Sequence, residues 1–318
     1  MYIHKIENML VSFVLPAYKA NYLREAIQSI LNQKYTNFEL IIVNDASPQN
    51  IEDIVFSFND KRIKYYKNDE NIGGGDLVKN WNLCISYAQG DFIVLASDDD
   101  LYMPGYLETM IDLYNRYPHV DLYHCRIRYI DFKGDFIAYS QPAAEYETTS
   151  DFIYQRLFYN RKQAAPEFMF KKKAIERIGG FVDFPIAWYS DDATWNALSI
   201  NGVAYSSIPL LNFRLSGLNL STFKIKPREK LLALKMYKKW IVVFLKNVKT
   251  DSADDKVMLK KCRDSVDNIL NGHFICYVPY ISPFKDFIIE CWHLIFLKGF
   301  SFRMLMYIFF RKIQIWKS

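Results

Sequence analysis

Three near-continuous apolar runs, Val11–Pro16, Phe38–Val43 and Phe92–Ala96, alternate with helical patterns in the first third of this chain. A strand that is apolar along its whole length must be covered on both faces. The covering segments are written between the runs. Tyr22–Asn32 carries Leu23, Ile27, Ile30 and Leu31 on one helical face. Ile51–Phe58 is a second helix pattern and Ile63–Tyr66 a short strand. A loop at Asn68–Gly75 leads into a helix ending near Ala88, and Pro104 opens another that runs to about Tyr117. Strands alternating with helices predict an α/β fold: a parallel sheet of βαβ units with helices on both faces.

After Asp121 the rhythm changes. Leu122–Asp131 and Asp135–Tyr139 flank Lys133-Gly134, a hairpin signal. Glu167–Phe170 reads as a strand, Lys172–Ile178 as a helix closed by Gly179-Gly180, Asp191–Ile200 as a helix and Val203–Phe213 as extended. A boundary is expected at Gly217–Lys226, dividing residues 1–220 from a helical region, 221–318. That region holds three helix patterns, Arg228–Lys246, Ala253–Leu270 and Phe284–Ile315.

With 51% hydrophobic residues in 318, the chain can bury a sizeable core, which argues against disorder. Cys84, Cys125, Cys262, Cys276 and Cys291 form no CxxC pair and complete no zinc spacing with histidine. His4, His119, His124, His273 and His293 do not cluster in sequence. Unpaired cysteines and an N-terminus without a signal-peptide pattern point to a reduced, cytoplasmic setting. No run reaches the roughly 18 uncharged apolar residues of a membrane span.

The net charge of +5 hides an asymmetry. Residues 1–218 hold 21 basic and 27 acidic residues (−6), and residues 219–318 hold 19 basic and 8 acidic (+11). In Phe284–Ile315 basic residues punctuate aliphatic and aromatic runs, and Asp286 and Glu290 are the only acids. Nucleic-acid binding favours dense Arg and Lys with isolated aromatics, so no nucleic-acid partner is expected. Basic residues mixed with Trp, Phe and Leu suit peripheral attachment at the inner face of an anionic membrane. The competing expectation is that this tail packs on the rest of the chain or on a second subunit.

The chemistry sits where strands end. Asp98, Asp99 and Asp100 close the run Phe92–Ala96, and clustered carboxylates repel unless a cation or donors hold them. Hard oxygen ligands of this kind suit Mg²⁺ or Mn²⁺, which in turn grips phosphates. Carboxyl ends of strands are where open α/β sheets bind ligands. The first run ends in Pro16-Ala17-Tyr18, and the second in Asn44-Asp45-Ala46-Ser47. Gly179-Gly180-Phe181 and Tyr189-Ser190-Asp191-Asp192 follow later.

Four motifs in this order, residues 11–18, 38–47, 88–100 and 178–181, resemble the family 2 glycosyltransferases with a GT-A fold, over about residues 9–220. The resemblance implies an inverting transferase that moves a sugar from a UDP- or dTDP-linked donor to a hydroxyl of a saccharide or lipid-linked saccharide, with Mn²⁺ or Mg²⁺. It implies that Asp45 accepts the N3–H of the base, with Pro16, Ala17 and Tyr18 packing on it. Asp98 would contact the ribose and Asp99 the metal, with Asp100 the alternative ligand. Asp192, with Asp191 as its rival, would be the base that deprotonates the acceptor. Arg214 matches a position near the diphosphate, although its usual histidine partner is absent. Trp81-Asn82 stands where the family carries Arg-Asn, and Lys79 would supply the missing charge.

Two other readings compete. A sugar-phosphate nucleotidyltransferase should carry a glycine-rich loop after its first strand, and Pro16-Ala17-Tyr18-Lys19-Ala20 has no glycine. A non-catalytic nucleotide-sugar or membrane-binding module would not need the full set of Asp45, Asp98, Asp99 and Asp192.

Overall fold

The computed structural model describes residues 9–216, 226–295 and 301–317. The opening pattern is realised as β1 (Val11–Ala17), α1 (Leu23–Leu31), β2 (Phe38–Asn44), α2 (Ile51–Phe56), β3 (Ile63–Lys67), α3 (Leu77–Ser86), β4 (Phe92–Leu95), β5 (Leu101–Tyr102) and α4 (Tyr106–Arg116). Then come β6 (Leu122–Ile130), β7 (Phe136–Tyr139), β8 (Tyr146–Glu147), α5 (Thr149–Leu157), β9 (Phe168–Lys171), α6 (Lys172–Arg177), α7 (Ser190–Leu198) and β10 (Val203–Arg214). The sheet runs β3-β2-β1-β4-β9-β6-β10-β5, with β7 on β6 and β8 on β10. Every residue of β2 and β4 is buried, as strands covered on both faces must be.

The sheet is not wholly parallel, as the alternation alone had suggested. β3, β2, β1 and β4 are parallel, but β9 lies antiparallel between β4 and β6. Its partners are more than forty residues upstream of it, and nothing local to Phe168–Lys171 encodes its direction. Helix α5, capped by Thr148 through Asp151 N, has no counterpart in the sequence reading.

One core spans the strands with α1, α2 and α4. Phe13 sits edge-on to Tyr102 and Phe38, and Tyr102 on Tyr106. A second buried patch is ionic. His124 lies 3.7 Å from Glu147 and 3.5 Å from Glu167, and Arg161 pairs with Glu147 at 2.7 Å. Burial raises the Glu167 carboxyl. At Glu147 burial is outweighed by His124 and Arg161, which hold the carboxyl below its ordinary value.

Contacts divide the chain into two units, Met1–Val182 with Thr194–Leu218, and Asp183–Ala193 with Asn219–Ser318. The second contains α8 (Pro227–Asn247), α9 (Ala253–Tyr277), α10 (Phe284–Ile295) and α11 (Phe302–Lys317). The single helix expected over Phe284–Ile315 is two. Ser301 is non-helical and starts α11, its hydroxyl accepting from Met304 N and its carbonyl from Leu305 N. Residues 296–300 within that stretch, and most of the expected boundary at Gly217–Lys226, lie outside the described residues.

Candidate functional site

The strand order reverses between β1 and β4, since β2 and β3 lie on one side of β1 and later strands on the other. Such a switch point leaves a crevice beyond the strand ends. Here β1 outruns β4: the pairing ends at Val14–Leu95, whereas β1 continues beside β2 as far as Ala17–Asn44. Pro16 falls in this overhang, where β4 no longer asks for an amide hydrogen.

The two sides of the crevice are stitched by Asp98. Its Oδ2 accepts from Tyr18 N at 3.1 Å and Lys19 N at 2.8 Å. Burial raises its carboxyl, against those two amides, which favour the charged form. Ala17 is buried, and Tyr18 is 40% exposed. Asp99 accepts from the Ser97 hydroxyl at 2.6 Å, and at 3.4 Å from Ser216. Asp100 is 1% exposed. One of its oxygens accepts Arg214 N at 2.8 Å, while Oδ2 has no hydrogen-bond partner among the described residues. Burial, then the neighbouring Asp99 charge, push its carboxyl well above the ordinary range.

Asp45, at the C-terminal end of β2, is 3% exposed and already engaged. Oδ1 accepts from Asn68 Nδ2 at 2.7 Å and Ile72 N at 2.9 Å, and Oδ2 from Gly73 N at 2.8 Å. The glycine is required: a Cβ there would lie 2.8 Å from Asp45 Oδ2 and 3.2 Å from Asn80 Nδ2. Asn80 in turn accepts from Asn68 Nδ2 at 3.3 Å. The sequence marks Asn68–Gly75 only as a loop; that Asn68, Gly73 and Asn80 clasp the end of β2 shows only once the chain has folded. A carboxylate offers about four lone-pair sites, so three donors leave one on Oδ2.

Lys79 is exposed on the first turn of α3, where its amide is capped by Asp76 at 2.8 Å. Asn82 on the same helix accepts Phe181 N at 2.8 Å. Gly180 approaches so closely that a Cβ would meet Asn82 Oδ1 at 2.6 Å. Asn82 therefore pins the Gly-Gly-Phe segment to α3.

Arg214, expected near the diphosphate, is buried against the acidic triplet. Nε donates to the Asp99 carbonyl at 3.0 Å, Nη2 to Glu25 at 2.8 Å and Nη1 to the Phe132 carbonyl at 3.4 Å. The guanidinium lies 4.2 Å from the centre of the Tyr22 ring. It braces the acidic triplet from behind.

Asp191 and Asp192 stand in the first turn of α7, in the second unit. Asp192 is 5% exposed, and its amide donates to Asp191 Oδ1 at 2.9 Å. Carboxylates there complement the helix dipole whatever else they do.

Among the described residues no three His, Cys, Asp or Glu side chains gather as a metal cage. Mg²⁺-class ions that bind nucleotides do not need one, since one or two carboxylates plus substrate phosphates and water suffice. Asp99 and the Oδ2 of Asp100, which has no partner among the described residues, fit that donor set. A cavity of about 450 Å³ elsewhere is lined by Glu108, Asp112, Arg116 and Glu145, and none of the candidate residues borders it.

The family model for glycosyl transferase family 2 matches residues 12–179. The chain belongs to glycosyl transferase family 2. It is 38% identical over 139 residues to an uncharacterized glycosyltransferase, RT0329, of Rickettsia typhi, covering 43% of this chain and 42% of that one. It is 33% identical over 109 residues to the Escherichia coli UDP-Glc:alpha-D-GlcNAc-diphosphoundecaprenol beta-1,3-glucosyltransferase WfgD, covering 34% and 42%. The match thus spans about two fifths of the length of each relative. The crystal structure of S. aureus TarS 1–349 in complex with UDP-GlcNAc shares the fold, with a TM-score of 0.66, 17% identity, and coverage of 96% and 89%. The GT-A fold and the glycosyltransferase family of the chain are thereby established.

Proposed function

We propose that this family 2 glycosyltransferase is an inverting enzyme that transfers a sugar from a UDP- or dTDP-linked donor to a hydroxyl of a growing polysaccharide or lipid-linked oligosaccharide. The observation that carries the reading is the set of buried carboxylates at the strand ends where the sheet order reverses between β1 and β4. Asp45 lies on one side of that switch point, and the Asp98–Asp100 triplet is tied across it to the Tyr18 and Lys19 amides. The relative named for a UDP-Glc donor and a diphosphoundecaprenol-linked acceptor supports the donor and acceptor classes.

Each residue has a task that its position supports. Asp45 offers its remaining lone pair to the N3–H of uracil or thymine, a strong acceptor for that donor. Tyr18 and the Pro16-Ala17 backbone flank the base, and Asp98 holds the ribose. Asp99, or Asp100 in its place, would hold Mn²⁺ or Mg²⁺. When bound, that ion supplies positive charge against the departing diphosphate. Arg214 keeps the triplet in place. Asp192 takes the proton from the acceptor hydroxyl, whose oxygen bonds to the anomeric carbon as the bond to the diphosphate breaks on the opposite face. Asp191 is the alternative base.

A thermal-shift screen of UDP-, dTDP- and GDP-sugars, with and without Mn²⁺, tests the reading, because a ligand that binds the folded state raises its apparent stability. A Mn²⁺-dependent rise with uridine or thymidine nucleotides is expected. A flat screen, or a preference for guanine, refutes it.

We also propose peripheral attachment of the C-terminal helices to an anionic membrane surface. No described helix is long and apolar enough to cross a membrane. Phe302, Met306, Tyr307, Phe310 and Ile313 of α11 are exposed beside Arg303 and Arg311, the mixture that interfacial helices use. Flotation with anionic vesicles is the test, and loss of flotation in Phe302→Ser/Phe310→Ser is expected. Failure of the full chain to float sinks the idea.

A further inference from the structure

Residues 183–193 leave the unit that contains their sequence neighbours and join the helical one. The backbone there is unusual. Ile186, Ala187 and Tyr189 have φ of 53°, 57° and 66°. Left-handed conformations are uncommon for residues other than glycine and worst for β-branched ones such as isoleucine. Three within four residues persist only where surrounding structure over-determines them.

The over-determination comes from α8 and α9. Trp188 Nε1 donates to the Tyr277 hydroxyl at 2.9 Å. The Tyr189 hydroxyl meets His273 Nδ1 at 2.7 Å, and its ring stacks on Tyr237 with centroids 4.7 Å apart and planes 6° apart. Lys230 Nζ lies 4.2 Å from the centre of the Trp188 ring. On the chain side, Ser190 Oγ accepts Phe184 N at 3.1 Å and closes the turn. Ala193 N donates to the Tyr189 carbonyl at 3.0 Å, so the turn runs straight into the helix whose first turn carries Asp191 and Asp192. After burial, the Asp192 charge is among the causes that push the Tyr189 and Tyr277 phenols upward. Both phenols therefore stay protonated at neutral pH and keep their hydrogen bonds.

We propose that Trp188 and Tyr189 are positioning residues, and that Tyr237, His273 and Tyr277 form a mould that holds Ile186, Ala187 and Tyr189 in their left-handed conformations so that Asp192 is presented as the base. The mould belongs wholly to the second unit, whereas Asp45 and Asp98–Asp100 lie in the first, so its loss is expected to affect transfer and leave donor affinity unchanged. This rests on the reading of Asp192 as base.

The test uses the full chain and three variants, Tyr189→Phe, His273→Ala and His273→Gln, where Gln keeps a side-chain partner for the phenol. Three quantities are read: amide hydrogen exchange in peptides spanning 184–193, UDP affinity by calorimetry in Mn²⁺, and UDP release from the nucleotide sugar that the thermal-shift screen selects. Misplacement of a reacting group by about 1 Å costs on the order of 10²-fold. Tyr189→Phe and His273→Ala should speed exchange in 184–193 at least tenfold and lower kcat by about 10- to 100-fold, with UDP Kd and donor KM unchanged. His273→Gln should restore both. Wild-type exchange in Tyr189→Phe overturns the mould. Faster exchange with wild-type kcat, while Asp192→Asn is inactive, overturns the positioning role. If Asp192→Asn itself turns over normally, the base assignment has failed, and the exchange measurement still judges the mould separately.

Discussion

Asp45→Asn separates the two jobs that converge on one carboxylate. The side chain accepts three donors, from Asn68, Ile72 and Gly73. An asparagine keeps one acceptor oxygen. Its best placement retains the pair from Asn68 and Ile72 and sets its NH₂ against Gly73 N–H. One hydrogen bond to a charged acceptor is then lost, worth about 1.5–3 kcal/mol. At about 2–4 °C per kcal/mol for a unit of this size, Tm should fall by roughly 3–12 °C. The same NH₂ would face the N3–H of a bound uracil. A comparable loss there weakens UDP binding by about 10- to 100-fold, at 1.4 kcal/mol per decade. Differential scanning fluorimetry and calorimetry with UDP and Mn²⁺ measure the two effects. Asn68→Ala is the control. It removes a donor to Oδ1 and leaves Oδ2 and its remaining lone pair in place. That variant should lose stability and keep UDP affinity within about threefold, under 1 kcal/mol. If Asp45→Asn lowers Tm but binds UDP as tightly as the parent, Asp45 only anchors its loop, and the base-binding assignment is refuted.

Three further outcomes follow from the same geometry. Asp99→Ala should abolish the Mn²⁺ enhancement of UDP affinity in calorimetry; an intact enhancement would move the ligand role to Asp100. Asp192→Asn should leave UDP affinity unchanged while kcat falls about 10²- to 10⁴-fold, and an inactive Asp191→Asn beside an active Asp192→Asn would exchange the two roles. Glu39 carries a pH signature. Burial alone would raise its carboxyl, but Lys64 at 2.6 Å, the Ser12 hydroxyl and Gln89 N hold it below the ordinary 4.5. A depressed folded value gives stability that is present above the unfolded value and lost as pH falls through the folded one. Glu39→Gln should therefore cost about 1.5–3 kcal/mol in urea unfolding at pH 7 and much less at pH 3; an equal cost at both pH values would show that the charge is not what stabilises.

Much of the first unit was legible because its signals are local. The strands Val11–Ala17, Phe38–Asn44 and Phe92–Leu95 fall within a residue or two of their apolar runs, since hydrophobic period is a property of neighbours in sequence. The family too was legible, because four short motifs keep their order along the chain. The antiparallel insertion of β9 and the break between α10 and α11 were not. The first depends on partners far upstream, and in the second apolar residues continue past the Ser301 cap.

The sequence by itself determined which residue types stand at the strand ends, and so the carboxylates that any chemistry here must use. Only the tertiary structure decided their separate duties. It assigned Asp98 to the Tyr18 and Lys19 amides and Asp100 to Arg214 N, and left one Asp100 oxygen without a partner among the described residues. It turned Arg214 toward Glu25, and it placed His124 between Glu147 and Glu167. These are contacts across tens to more than a hundred residues. Their energies depend on burial and angle, which exist only once the strands have paired and water has been excluded.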